Sequence, residues 1–218
     1  MLYITYNTAS AFICFLMALV FLFNDKDAAW RLMILFLLAS LATEVLGIFM
    51  RHAVHSNLGV YNIYVVIECG FTSFFFYHLY GNYSGKLKWL LAWLAFFLVM
   101  YIAELLYNNF ADFVFISATI MSVVFVLASL LYYFLKMQDD HFEPLLSSGP
   151  FWWVSGALFF YFGSTACNLF FDYLKDHDTA IYSRSVRYVV FVALNIVLYT
   201  CWSYSFICRY RQQRSSSY

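Results

Sequence analysis

Apolar residues dominate seven long stretches of this chain, and polar residues collect in the short segments between them. The stretches run over about 3–23, 30–50, 59–80, 87–107, 111–136, 150–173 and 181–208. Each is close to the 20 or so residues that a helix needs to cross a lipid core about 30 Å thick. They are too long for barrel strands, which need about 9–11 alternating residues. "NDKDAA" and "GNYSGK" read as simple turns, and no connection is long enough for a soluble domain. The pattern predicts an all-α membrane protein: one domain over 1–218, a bundle of seven transmembrane helices.

Composition agrees with the pattern. The chain is 64% hydrophobic and 11% charged, against about 25% charged in ordinary globular domains. Too few charges remain to coat a water-exposed surface, so the lipid bilayer is the expected surrounding. A net charge of zero argues against a nucleic-acid partner, which would want a basic stripe. Five cysteines all fall inside the apolar stretches, without metal-ligand spacing, and neither a disulfide nor a metal is expected. No cofactor is implied.

Charge also orients the chain. The 1–2, 3–4 and 5–6 connections and the tail hold Lys26, Arg31, Lys86, Lys88, Lys136, Arg209, Arg211 and Arg214. The other side holds Arg51, Lys175, Arg184 and Arg187. The positive-inside rule then places the N-terminus outside and the C-terminus in the cytoplasm. The first stretch has no basic residue before it, so it reads as an uncleaved helix. Trp30, Trp89, Trp152, Trp153 and Trp202 fall near the inner helix ends, the pattern of an interfacial aromatic belt.

Polar residues inside the apolar runs carry the candidate chemistry. An ionisable group in a membrane normally faces the bundle interior. Helix three places Tyr61, Tyr64, Glu68 and Thr72 at helical spacing, and helix two places Ser40, Thr43, Glu44 and Gly47 likewise. Helix four leads to Glu104, helix six carries Asn168 and Asp172, and helix seven carries Arg184, Arg187 and Asn195. At 1.5 Å per residue, Glu44 lies about 9 Å from the outer helix end, Glu68 about 13 Å, Glu104 about 5 Å and Arg187 about 9 Å. The set predicts a polar cavity open to the outside, with Glu68 its deepest acid. The inner half is expected to hold no comparable set. Two readings of the cluster stay open: interhelical glue, with Glu44 or Glu68 paired to Arg187, or a site for a polar or charged ligand.

Several chemistries are poorly matched. Every lysine lies in or beside a loop, so no retinal Schiff base is expected in the last helix. No histidine lies in the outer half of a helix, which argues against a ceramidase-like zinc site or a Ser/His/Asp hydrolase. His78 reads as an interface residue. His52, His55, Asp176, His177 and Asp178 read as solvated loop residues rather than metal ligands. The two prolines, Pro144 and Pro150, flank the longest inner connection, so the broken helices of many transporters have no proline signal here.

"YNIYVVIE", "FWWVSGALFFYFG" and "LNIVLY" resemble recurrent patterns of small bacterial seven-helix integral membrane proteins of unknown function. The resemblance implies a helical bundle in a bacterial cytoplasmic membrane and no established activity. The leading functional expectation is non-enzymatic: a small ligand from the outer side is bound or sensed, and a separate cytoplasmic partner carries the signal. The alternatives are a small-solute transporter and an intramembrane enzyme acting on lipid.

Overall fold

A computed structural model describes residues 5–81, 87–110, 112–138, 144–170 and 186–215, without the side chains of Leu87, Arg187 and Ser215. The expected loop sites in 139–143 and 171–185, Asp172 and Arg184 included, lie outside the described residues.

Among the described residues the chain forms seven α-helices: α1 (Tyr6–Leu22), α2 (Ala28–Ala53), α3 (Leu58–Tyr80), α4 (Leu87–Tyr107), α5 (Phe115–Met137), α6 (Gly149–Leu169) and α7 (Val186–Ser215). One 3₁₀ turn, Leu145–Ser147, precedes α6. Five helices, α2 to α5 and α7, are long and apolar enough to cross a membrane. The first helix is shorter, with 17 residues. In α6, Trp152, Trp153, Ser155, Ser164, Thr165 and Asn168 dilute the apolar character. That helix sits between α5 and α7, so much of its surface meets protein instead of lipid. The chain is therefore a multi-pass, all-α membrane protein.

Neighbours in sequence pack together, and the residue contacts along α2 and α3 and along α6 and α7 run antiparallel. Contact between α7 and α1 closes the ring, while α4 lies outside it against α3 and α5. Two close crossings set the α6–α7 seam. A Cβ on Gly156 would lie 2.9 Å from Cys201 Cβ and 3.3 Å from the Leu198 carbonyl, atoms that cannot swing aside, and one on Gly163 would displace the Leu194 methyls. The missing side chain at Gly156 permits the closer approach. Gly47 does the same on α2, where a Cβ would meet the Tyr61 hydroxyl at 2.9 Å.

The core is aromatic. Phe71 stacks on Phe36 with centroids 4.3 Å apart, Phe75 meets Trp153 at 4.3 Å and Trp30 at 5.1 Å, and Trp153 stacks parallel to Trp202 at 5.6 Å. This corrects the expected belt. Trp30, Trp153 and Trp202 are buried, and only Trp89 of the five is strongly exposed. Their level along the helices fits an interface, but they point inward, where a large ring fills the ring of helices.

Two boundaries differ from the expected ones. The fifth helix starts at Phe115, because the Asn62 side chain of α3 holds the backbone of Asp112 and Val114 outside it. The last helix continues to Ser215, so the polar tail is largely an extension of α7. Tyr210 packs edge-on against Phe21 at 5.4 Å, and the Arg214 guanidinium covers the Tyr210 ring at 4.9 Å.

Candidate functional site

Three polar assemblies emerge. The first lies in the interior, on α2, α3, α6 and α7. Glu68 is half-buried on α3, and its Oε1 accepts a hydrogen bond from the Tyr161 hydroxyl at 2.9 Å. Tyr161 thus spends its proton on Glu68, and Thr72 must donate across the 3.3 Å contact to the Tyr161 oxygen. Ser40 donates to the Phe36 carbonyl at 3.0 Å, so the 2.7 Å contact between Ser40 and Tyr64 is donated by Tyr64. Glu44 is half-buried one turn further along α2. Tyr64 and Tyr199 each lie within electrostatic reach of both Glu44 and Glu68. The two acids share a level. Glu44 lies about 13 Å of helix from Ala53, and Glu68 about 15 Å from Leu58 at 1.5 Å per residue. Neither acid has an ion-pair partner among the described residues.

Glu44, Glu68 and Tyr64 thus belong to one interior group with Tyr161 and Tyr199. Asn195 on α7 turns its amide back to its own helix, donating to the Phe191 carbonyl at 2.9 Å. Arg187 begins the first turn of α7.

The second assembly takes two expected site residues elsewhere. Glu104, near the end of α4, receives the backbone N–H groups of Ile116 and Ser117 at 2.8 and 2.7 Å, and the Ser117 hydroxyl as well. It caps α5 from another helix, supplying the acceptor that Val114 lacks. Asn62 on α3 completes the same junction. Its amide donates to the Asp112 carbonyl at 3.1 Å and accepts from Val114 N at 3.2 Å, while Tyr101 donates to its backbone carbonyl at 3.0 Å. Asn168 donates to Thr119 at 3.1 Å, joining α6 to α5.

The third assembly was not anticipated. It sits at the opposite end of the bundle, in the "NDKDAA" segment, whose sequence reads as a simple turn. Asp27 caps α2, accepting from Ala29 N at 3.0 Å, and Asp25 accepts from Asp27 N at 2.8 Å. These are ordinary uses of Asp before a helix. Their remaining oxygens reach other helices. Arg209 on α7 donates through Nε to Asp25 Oδ2 at 3.1 Å and through Nη2 to Asp25 Oδ1 at 3.4 Å, with Asp27 Oδ2 at 3.5 Å. His78 Nε2 meets the same Asp27 oxygen at 2.9 Å. The guanidinium also lies 5.4 Å from the Trp30 ring centroid, within cation–π range. The Asp25 side chain is fully buried. The expectation that this half of the bundle holds no comparable polar set is therefore wrong.

The clamp follows from antiparallel packing. Acids stand at the N-terminus of α2, His78 stands in the last turn of α3, where it complements the helix dipole, and Arg209 reaches the same level from α7. A usable signal was present in the sequence: Asp25, Asp27, His78 and Arg209 occupy helix ends on one side. Between this clamp and Glu68 lies the aromatic layer of Phe75, Trp30, Trp153 and Trp202. The chain matches no protein-family model, and neither a curated protein nor a solved structure is significantly similar to it.

Proposed function

We propose that this multi-pass membrane protein has a crevice around Glu68 and Glu44 and binds there a small cationic ligand, an ammonium compound. The observation that carries the reading is the pair of half-buried carboxylates with no ion-pair partner among the described residues. A carboxylate inside a membrane is expensive, about 2.5–3.5 kcal/mol for Asp on insertion scales, and such groups are functional candidates by default. The Tyr64, Tyr161 and Tyr199 rings beside them suit a cation, which gains from both carboxylate and aromatic faces. The eight-to-four distribution of basic residues supports an N-terminus outside and a crevice that opens outward. The helical extension of α7 past the clamp supports read-out by a separate cytoplasmic partner. Transport is the second reading: polar groups on both sides of a packed aromatic layer have the layout of a closed gate.

Reporter fusions test the orientation. A fusion after Tyr218 or within "MQDDHFEP" is expected to read as cytoplasmic and one at "KDHDTA" as external. The reverse pattern would overturn the outward-facing crevice.

Ligand binding is tested at Glu68. The change Glu68→Gln keeps side-chain size and one acceptor for Tyr161, so the expected stability loss is below about 1 kcal/mol. Wild-type protein in detergent should melt at a higher temperature in millimolar tetramethylammonium or choline chloride than in sodium chloride. Glu68→Gln should lose most of that increment, since charge-assisted contacts are about twice as strong as neutral ones. A stability coupling of several kcal/mol between Glu68→Gln and Arg187→Gln in a double-mutant cycle would instead make Glu68 a helix-to-helix ion pair, and would sink the ligand reading.

A further inference from the structure

We propose that the groove between the 3₁₀ turn Leu145–Ser147 and the end of α7 is a binding site for one anionic phospholipid. The groove is open-sided, with a volume of about 510 Å³, and is lined by Pro144, Leu146, Ser147, Tyr204, Cys208 and Arg211, among others. That volume lies in the usual range of ligand sites, about 300–1,000 Å³.

Helical spacing builds one wall. Tyr204, Cys208 and Arg211 recur on one stripe of α7, while Arg209 and Tyr210 turn to the clamp and to Phe21. The other wall is fixed to α6 and α7. The Trp152 indole donates to the Leu146 carbonyl at 2.9 Å, and the same ring meets Tyr204 edge-on at 4.9 Å. Beneath it, Ser205 donates to the Gly149 carbonyl at 2.7 Å. The groove is thus held open by packed elements.

Three observations select a phospholipid. The groove lies in the last turns of a membrane-spanning helix, which extends over Tyr188–Arg214, with a Trp–Tyr pair on its edge as at a membrane–water interface. Its outer lip is apolar and uncovered: Leu146 is 68% exposed and neighbouring Leu145 is 46% exposed, which suits acyl chains better than water. Its cation is the one arginine of this helix end that the described acids and rings do not hold. Arg209 is held by Asp25 and Asp27 and Arg214 lies over Tyr210, whereas Arg211 is exposed and has no ion-pair partner among the described residues. A guanidinium at the end of a spanning helix, above an apolar groove, matches a phosphate that carries two hydrocarbon chains.

The test is native mass spectrometry of the full chain released from micelles with equal amounts of phosphatidylglycerol and phosphatidylcholine of matched chains. Wild type should retain phosphatidylglycerol about fivefold over phosphatidylcholine, the ratio that one juxtamembrane cation supports. Arg211→Gln should bring the ratio near one, and Arg214→Gln should leave it unchanged. Leu146→Asp should lower phosphatidylglycerol retention with Arg211 still present, because the chains need the apolar lip. Equal retention of both lipids by wild type, or a preference that survives Arg211→Gln, overturns the site. Displacement of phosphatidylglycerol by millimolar glycerol 3-phosphate would also overturn it, by showing a soluble phosphate ligand instead.

Discussion

Replacing Arg209 with glutamine is expected to lower stability by about 3 kcal/mol, the low end of the cost of breaking a buried ion pair. The Asp25 side chain is fully buried and takes both Arg209 hydrogen bonds. Without the guanidinium the carboxyl group is left in a site that water does not reach, supported only by the Asp27 N–H. That remaining bond is why the low end of the range applies. The shared Asp27 oxygen would keep His78 but lose its cation. Adding Asp25→Asn to Arg209→Gln replaces the stranded carboxyl group and should recover part of the loss. Arg214→Gln, at an exposed arginine on the same helix, should cost less than about 0.5 kcal/mol. Thermal melting of the purified variants in detergent reads all three. Wild-type melting of Arg209→Gln would show that the clamp does not hold the bundle end together.

Glu104→Ala carries the second large effect, an expected loss of about 2–3 kcal/mol. The change strands two backbone N–H groups in the first turn of α5 and one hydroxyl. Water can replace the carboxylate only in part, because Ser117 is fully buried. The neighbouring turn has little slack to adapt. Asn109 and Phe110 both hold positive φ, 48° and 59°, which is unfavourable for a bulky residue such as Phe110. Hydrogen exchange should therefore rise first over residues 104–118, with the clamp end unaffected. Glu104→Gln keeps one acceptor oxygen and should cost about half as much. Unchanged exchange in Glu104→Ala would remove the capping role and return Glu104 to the pool of ligand groups.

The contrast between Glu104 and Glu68 shows how far the sequence reached. Both read as acids in one half of the bundle, because position along a helix follows from the helical rise, a local property. Depth says nothing about which neighbour a side chain meets. Glu68 faces Tyr161 across the interior, and Glu104 faces the start of α5. The tryptophans repeat the lesson: their level was legible, their inward direction was not. Asp25 and Asp27 show a further gap. Their local roles in a turn are readable from the residue types, but Arg209 comes from 184 residues away, and no local pattern reports that meeting.

The sequence by itself determined seven helices, their approximate bounds and the membrane as their solvent, because apolar length and periodicity act within each segment. It also placed Glu44, Tyr64 and Glu68 on interior-facing stripes. Helix bounds were closest for α3 and α4, whose apolar runs end abruptly in polar turns. Only the tertiary structure decided that α5 begins at Phe115, that Glu104 is a cap, and that α7 runs on to Ser215 with Arg209 clamped. The azimuth of each helix, and hence the partner of each polar group, is set by how all the helices pack around one another, and no single segment encodes it.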